Sequence, residues 1–139
     1  MVRHLLVVVL VGWLAGCVVH THDDWEGMSQ TEIASWKAAG FTAEQAQDWR
    51  EAGFTVPQAQ AWNTGTFTVV EAREWHQAGY MASDAAQWRA AGLTYREAAE
   101  WRNHQFTPNE ARRWIESGYD LSGAIEQRAN GLEPIDRTY

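Results

Sequence analysis

The most prominent candidates for ligand binding in this sequence are the tryptophans. Seven of the nine recur at a constant interval of thirteen residues. They are Trp36, Trp49, Trp62, Trp75, Trp88, Trp101 and Trp114. An indole ring can stack on a sugar ring from an exposed surface, or it can anchor a protein core. The spacing therefore predicts either an aromatic ladder for a glycan or a repeated structural core.

The residues around the tryptophans favour the core. Five positions after each one stands an aromatic residue or a leucine, and ten positions after it stands an alanine. On a helix, Ala46, Trp49 and Ala52 would lie within an arc of about 120°, the width of a buried stripe. We therefore predict that the tryptophans are structural. The alternative is a cell-wall or surface glycan-binding module that uses the repeat aromatics, including Tyr80 and Tyr119.

Basic residues form a second regular feature, since six of them directly follow the tryptophan position of a unit. They are Lys37, Arg50, His76, Arg89, Arg102 and Arg128. Such a row could bind phosphate-bearing polymers of the cell envelope. The helix dipole also favours cations in the last turn of a helix and glutamates in the first. We favour this second interpretation, in which the row is structural and solvated.

Four residues near the N-terminus, His20, His22, Asp23 and Asp24, carry metal-capable side chains. They have no further ligand at a defined spacing, so they indicate a polar tether instead. The sequence also lacks a nucleophile elbow, a zinc-helix motif and a phosphate-binding loop. We expect no metal site, no cofactor and no enzymatic activity.

The charge of the chain excludes one class of partner. The formal net charge is -7 and the pI is near 5.1. The negative electrostatic potential of such an acidic protein repels the phosphates of a nucleic acid. We therefore expect no nucleic acid among its partners.

Each thirteen-residue unit predicts one short helix and the turn that follows it. Thr42 is the expected N-cap, and Gln45 at the third helical position completes a capping box. Gly53 is expected to end that helix in the left-handed conformation. The same box is predicted at Thr55/Gln58, Thr68/Glu71, Thr94/Glu97 and Thr107/Glu110.

The unit length also predicts the fold class. One tryptophan and one phenylalanine bury too little apolar surface to offset the ordering of thirteen residues, so a unit cannot fold alone. Stacked units share each aromatic residue between two helices. The predicted fold is all-α, an array of about eight short single-helix repeats that forms a superhelix or a compact coil. We place this array in residues 29–139.

Three units depart from the pattern, near Gly65, Met81 and His104. Gly65 stands one residue early and Thr66 takes the position that needs a positive φ, so we predict that this helix ends one residue sooner. Met81 replaces the N-cap threonine and leaves Ser83 as a candidate late cap. Residues 103–105 lack the small residue and glycine altogether. We interpret all three as drift within a tolerant repeat.

The whole pattern, W-x-x-A-G-[FY]-[TS]-x-x-[EQ]-A, resembles tandem helical arrays of microbial proteins, mostly without assigned activity. The resemblance covers nearly all of residues 27–132. It implies a helical repeat and carries no function with it.

The N-terminus predicts export. Residues 1–4 form a short basic segment, and residues 5–14 form an apolar run, as in a signal peptide. The run is about half the roughly 20 residues that a membrane span needs. Cys17 is the single cysteine, so it cannot form a disulfide within the chain.

The stretch Leu14-Ala15-Gly16-Cys17 resembles the lipobox of bacterial lipoproteins at all four positions. The resemblance implies cleavage before Cys17 and lipid attachment to its sulfur and its new amino group. Several acyl chains make a stable anchor where one chain is marginal. In Gram-negative lipoproteins an aspartate after the cysteine signals retention in the inner membrane. Val18 stands there, which favours the outer membrane if the source is Gram-negative.

Together these features predict a signal peptide in residues 1–16, a lipidated cysteine and polar tether in residues 17–28, and the repeat array in residues 29–139. The expected function is that of a membrane-anchored, non-enzymatic envelope lipoprotein. Its array would be a scaffold for a protein partner in the envelope. The glycan-binding module remains the alternative.

Overall fold

The computed structural model describes residues 24–134, and this part of the chain contains eight α-helices of nine residues each. They are α1 (Gln30–Ala38), α2 (Ala43–Glu51), α3 (Val56–Thr64), α4 (Val69–Gln77), α5 (Ala82–Ala90), α6 (Tyr95–Asn103), α7 (Pro108–Glu116) and α8 (Leu121–Ala129). The predicted all-α array of about eight short single-helix repeats is confirmed. None of these helices is long and apolar enough to cross a membrane.

Capping boxes start most of the helices, as the sequence predicts. At α2, the amide of Gln45 donates to the Thr42 hydroxyl over 3.2 Å, and the Thr42 amide donates to the Gln45 side chain over 3.0 Å. The same reciprocal pair opens α4, α6 and α7. Each box satisfies two amides that have no partner inside the helix.

The turn after each helix holds the tryptophan in place through the backbone. The amide of Phe54 donates to the carbonyl of Trp49 over 3.0 Å, and the amide of Gly53 donates to the carbonyl of Arg50 over 2.9 Å. Gly53 has a φ of +86°, which only glycine adopts without strain. Because the same bonds recur in every unit, each tryptophan has a fixed position relative to the next aromatic residue.

Two expectations about the irregular units are wrong. The helix before Gly65 does not end early, since α3 has the same nine residues as its neighbours and Thr66 takes a φ of 58° instead. Gln105 likewise takes a φ of 62°. Ser83 is no late cap either, because α5 begins at Ala82 directly after Met81. The buried tryptophans dictate the register, and the backbone accepts local strain to keep it.

Helix packing in the array extends beyond neighbours in the chain. The central helix α5 contacts α4 and α6, and it also contacts α3 and α7. Helix α5 therefore packs against the helices two positions away in the chain as well as against its immediate neighbours. This arrangement brings residues about two units apart into contact.

The core is a line of aromatic rings with alanines between the helices. The ring centroids of Trp49 and Phe54 are 5.3 Å apart, and those of Phe54 and Trp62 are 6.3 Å apart, both edge to face. Such contacts run without a break from Trp36 to Tyr80. The repeat alanines are fully buried and let the helix backbones approach closely: Ala46, Ala59, Ala72, Ala85, Ala98, Ala111 and Ala124.

Candidate interaction surface

The repeat tryptophans lie inside the array. All seven are buried, with 2–4% of each side chain's accessible surface exposed. Tyr80 is buried as well, at 1%, whereas Tyr119 is 37% exposed. Of the aromatic residues named for glycan stacking, Tyr119 is therefore the only one whose ring reaches the surface.

The basic residues make contacts that the sequence analysis missed. Arg128 in α8 donates from Nη2 to the carbonyl oxygen of His104 over 2.7 Å. Its guanidinium also lies 3.8 Å from the ring centroid of Phe106. Arg128 thus bonds the C-terminal end of α6, two helices back, and covers the aromatic residue that follows α6.

The same arrangement recurs at other units. Arg102 donates to the carbonyl of Ala78 over 3.3 Å and lies 4.1 Å from the ring centroid of Tyr80. Arg89 lies 3.7 Å from the ring centroid of Phe67 and donates to the Gly65 and Thr66 carbonyls. A positive charge at the end of an earlier helix neutralises the negative end of its dipole. These cations therefore link α5, α6 and α8 each to the helix two units earlier.

A sequence signal for these contacts exists at a spacing of 22 residues. The paired positions are Phe54 and His76, Phe67 and Arg89, Tyr80 and Arg102, and Phe106 and Arg128. Where the earlier residue is the aliphatic Leu93, the later one is Ile115. In three of these pairs the later residue is an arginine whose guanidinium lies over the ring, as expected for a cation–π pair. The pairing is not general, because Asn63 stands 22 residues after Phe41.

The two ends of the described array differ. At the start of the array, Gln47 donates to the carbonyl of Glu26 over 2.7 Å and Arg50 donates to that of Gly27 over 3.0 Å. Lys37 lies over the ring of Trp25 at 5.2 Å. Residues 24–28 therefore close that end with polar and aromatic contacts.

The other end carries an open groove of about 530 Å³, which we call the C-terminal groove. It is lined by Leu93, Glu97, Glu100, Trp101, Ile115, Gly118, Tyr119, Asp120, Leu121 and Ser122. Five of these side chains are apolar or aromatic and three are carboxylates, while no basic residue among residues 24–134 lines it. The groove thus combines exposed apolar surface with negative charge.

The carboxylate of Glu97 in this groove is held in its charged form. The Thr94 hydroxyl donates to Glu97 over 2.7 Å and the Thr94 amide does so over 2.9 Å. These hydrogen bonds, the hydroxyl's first, lower the pKa of Glu97 below its usual value. The groove therefore keeps this negative charge at neutral pH.

Several predicted features lie outside residues 24–134, among them the lipid attachment residue Cys17 and the polar residues His20, His22 and Asp23. Asp24 is the first described residue and is exposed. Among residues 24–134, no three histidine, cysteine, aspartate or glutamate side chains are placed to hold a metal ion together.

Comparison of the chain with protein-family models, with curated proteins and with solved structures found no match. The regularly spaced helices and aromatic residues themselves establish the helical repeat. Membership of a known repeat family, the signal peptide and the lipobox remain predictions from the sequence.

Proposed function

We propose that this protein is a membrane-anchored envelope lipoprotein whose helical array is a non-enzymatic scaffold for a protein partner. The observation that carries the proposal is apolar surface that the helical array leaves exposed to solvent. The tryptophans are buried in the core, yet Val70, Met81, Ile115, Tyr119 and Leu132 are exposed by 37–67%. Two of them, Ile115 and Tyr119, line the C-terminal groove, and exposed apolar side chains at a groove are typical of a protein contact surface.

The anchor in this proposal depends on Cys17 and the residues before it. Replacement of Cys17 by serine leaves no sulfur for an acyl chain. We expect C17S to move from the membrane fraction to the soluble fraction of the cell envelope. A variant that stays with the membranes contradicts the lipid anchor and leaves the scaffold to be tested separately.

The scaffold is tested by capture of partners from an envelope extract with the acylated protein. Specific protein partners, identified by mass spectrometry, are expected. The control is the Tyr80→Leu variant, which replaces a buried ring and is expected to loosen the array and so abolish capture. Equal capture by the intact and the loosened array contradicts a folded scaffold.

The glycan-binding alternative requires exposed aromatic rings. Fluorescence distinguishes the two hypotheses, because buried indoles emit at short wavelength and resist soluble quenchers. The scaffold predicts emission of this kind that does not respond to cell-wall fragments. Red-shifted, quenchable emission that changes when such fragments are added favours the glycan binder.

A further inference from the structure

Tyr119 departs from the pattern that the earlier units set. The six earlier residues at its repeat position are 1–8% exposed, whereas Tyr119 is 37% exposed. Its ring still packs edge to face against Trp114, with centroids 5.5 Å apart, as in the other units. The inner side of the ring is therefore in its usual place, and the outer side is open to the C-terminal groove.

Three of the earlier units show a guanidinium covering such a ring. Arg89, Arg102 and Arg128 each place a guanidinium within 4.1 Å of the aromatic centroid 22 residues earlier. Because α8 is the last described helix, no side chain of residues 24–134 covers Tyr119 in this way. Residues 24–134 thus contain three rings at this repeat position that a guanidinium covers, and Tyr119 is a ring at the same position whose outer side is open.

The charges around Tyr119 suit a cation. Glu97, Glu100 and Asp120 line the groove, and within the described part of the chain no basic side chain does. Glu100 and Asp120 are both exposed. Carboxylates beside an aromatic ring favour arginine over lysine, because the planar guanidinium can stack on the ring and donate to a carboxylate at once.

We propose that the C-terminal groove binds an arginine side chain that a basic segment of a partner protein presents. The guanidinium covers Tyr119 and faces Glu100 and Asp120, and an apolar side chain beside the arginine packs on Ile115 and Leu121. A second copy of this chain is a poorer occupant, because each copy has a formal net charge of -7. This inference rests on the proposed scaffold function and names the partner's chemistry.

The probe is a short peptide taken from the chain itself. Residues 87–94, acetylated and amidated at the ends, contain Arg89 as their one charged side chain next to Trp88 and alanines. Binding to the full mature protein is followed by NMR. The arginine peptide is expected to bind saturably, and the peptides with Arg89→Lys and Arg89→Gln are expected to bind progressively more weakly.

Variants of the protein locate the site. Tyr119→Leu is expected to weaken binding about 2- to 30-fold, the range of a cation–π contact. Tyr119→Phe keeps the ring and is expected to bind as the parent does. Glu100→Gln is expected to weaken binding, whereas Glu74→Gln, its matched control 26 residues earlier and outside the groove, is expected to leave it unchanged.

Three outcomes of the peptide assay overturn this inference, and a fourth, from partner capture, rejects the site alone. The first is equal binding of the arginine and glutamine peptides, or no saturable binding by either. The second is binding that Tyr119→Leu leaves intact in a variant with parental circular dichroism. The third is a tenfold gain in affinity on Arg137→Gln, which would assign the groove to this chain's own arginine. A partner captured equally by the parent and by Tyr119→Leu would retain the scaffold and reject only this site.

Discussion

Replacement of Trp75 by alanine is the most direct test of the aromatic core. Trp75 is 4% exposed and packs edge to face on three other rings. Its ring centroid lies 5.1 Å from that of Tyr80, 6.3 Å from that of Phe67 and 6.4 Å from that of Tyr95. Its removal therefore leaves a cavity at the centre of the array and ends three aromatic contacts.

Truncation of a buried tryptophan to alanine costs about 3–5 kcal/mol in a well-packed core. Each edge-to-face aromatic pair adds about 0.5–1.5 kcal/mol beyond its buried area. With three such pairs, we expect the loss for Trp75 to lie in the upper half of that range. A whole domain is stable by only about 5–15 kcal/mol, so the variant should be close to unfolding.

The assay is equilibrium unfolding in urea, followed by far-ultraviolet circular dichroism on the mature chain with Cys17→Ser. The control is Val70→Ala in the same helix, whose side chain is 67% exposed and whose expected effect is within about 0.5 kcal/mol. A loss below about 1 kcal/mol for Trp75→Ala, or one equal to that of the control, would refute the core role of this residue.

Three further predictions concern local features of the array. Gln105 has a φ of 62°, a left-handed conformation that glycine adopts without strain. Gln105→Gly should therefore raise the free energy of unfolding by about 1 kcal/mol in the same urea assay. An unchanged or lower value would show that this backbone is unstrained. The buried Tyr80 hydroxyl has no hydrogen-bond partner among the described residues, so Tyr80→Phe should stabilise the folded protein by about 1 kcal/mol. A lower melting temperature of this variant would show that the hydroxyl does have a partner. Hydrogen bonds lower the folded-state pKa of Glu97, so its contribution is present above the unfolded-state pKa of about 4.3 and is lost as the pH falls through the folded value. Glu97→Gln should therefore flatten the acid side of the stability curve, and an unaltered curve would contradict the contribution of this carboxylate.

The local sequence predicts most of the array because its signals lie within one unit. Thr42 and Gln45 are three residues apart, and their side chains bond each other's backbone wherever the helix forms. Gly53 likewise marks a turn whose bonds stay within a few residues. Helix number, length and spacing follow from such contacts.

The irregular units show where local reasoning fails. Thr66 disfavours a positive φ, and an isolated helix would be expected to avoid it. The tertiary structure imposes the positive φ on Thr66. The ring centroids of Trp62 and Phe67 are 5.0 Å apart, and a shorter α3 would separate these two rings. Core packing outweighs the cost of one strained residue.

The sequence alone thus determined the all-α repeat, its thirteen-residue register and the capping of its helices, because these depend on residues close together in the chain. Only the tertiary structure decided that Arg128 bonds His104 and covers Phe106, and that Tyr119 remains open beside the carboxylates of the C-terminal groove. Those contacts join residues about two units apart. Their formation depends on the direction in which successive turns carry the chain, and that direction is a property of the packed array as a whole.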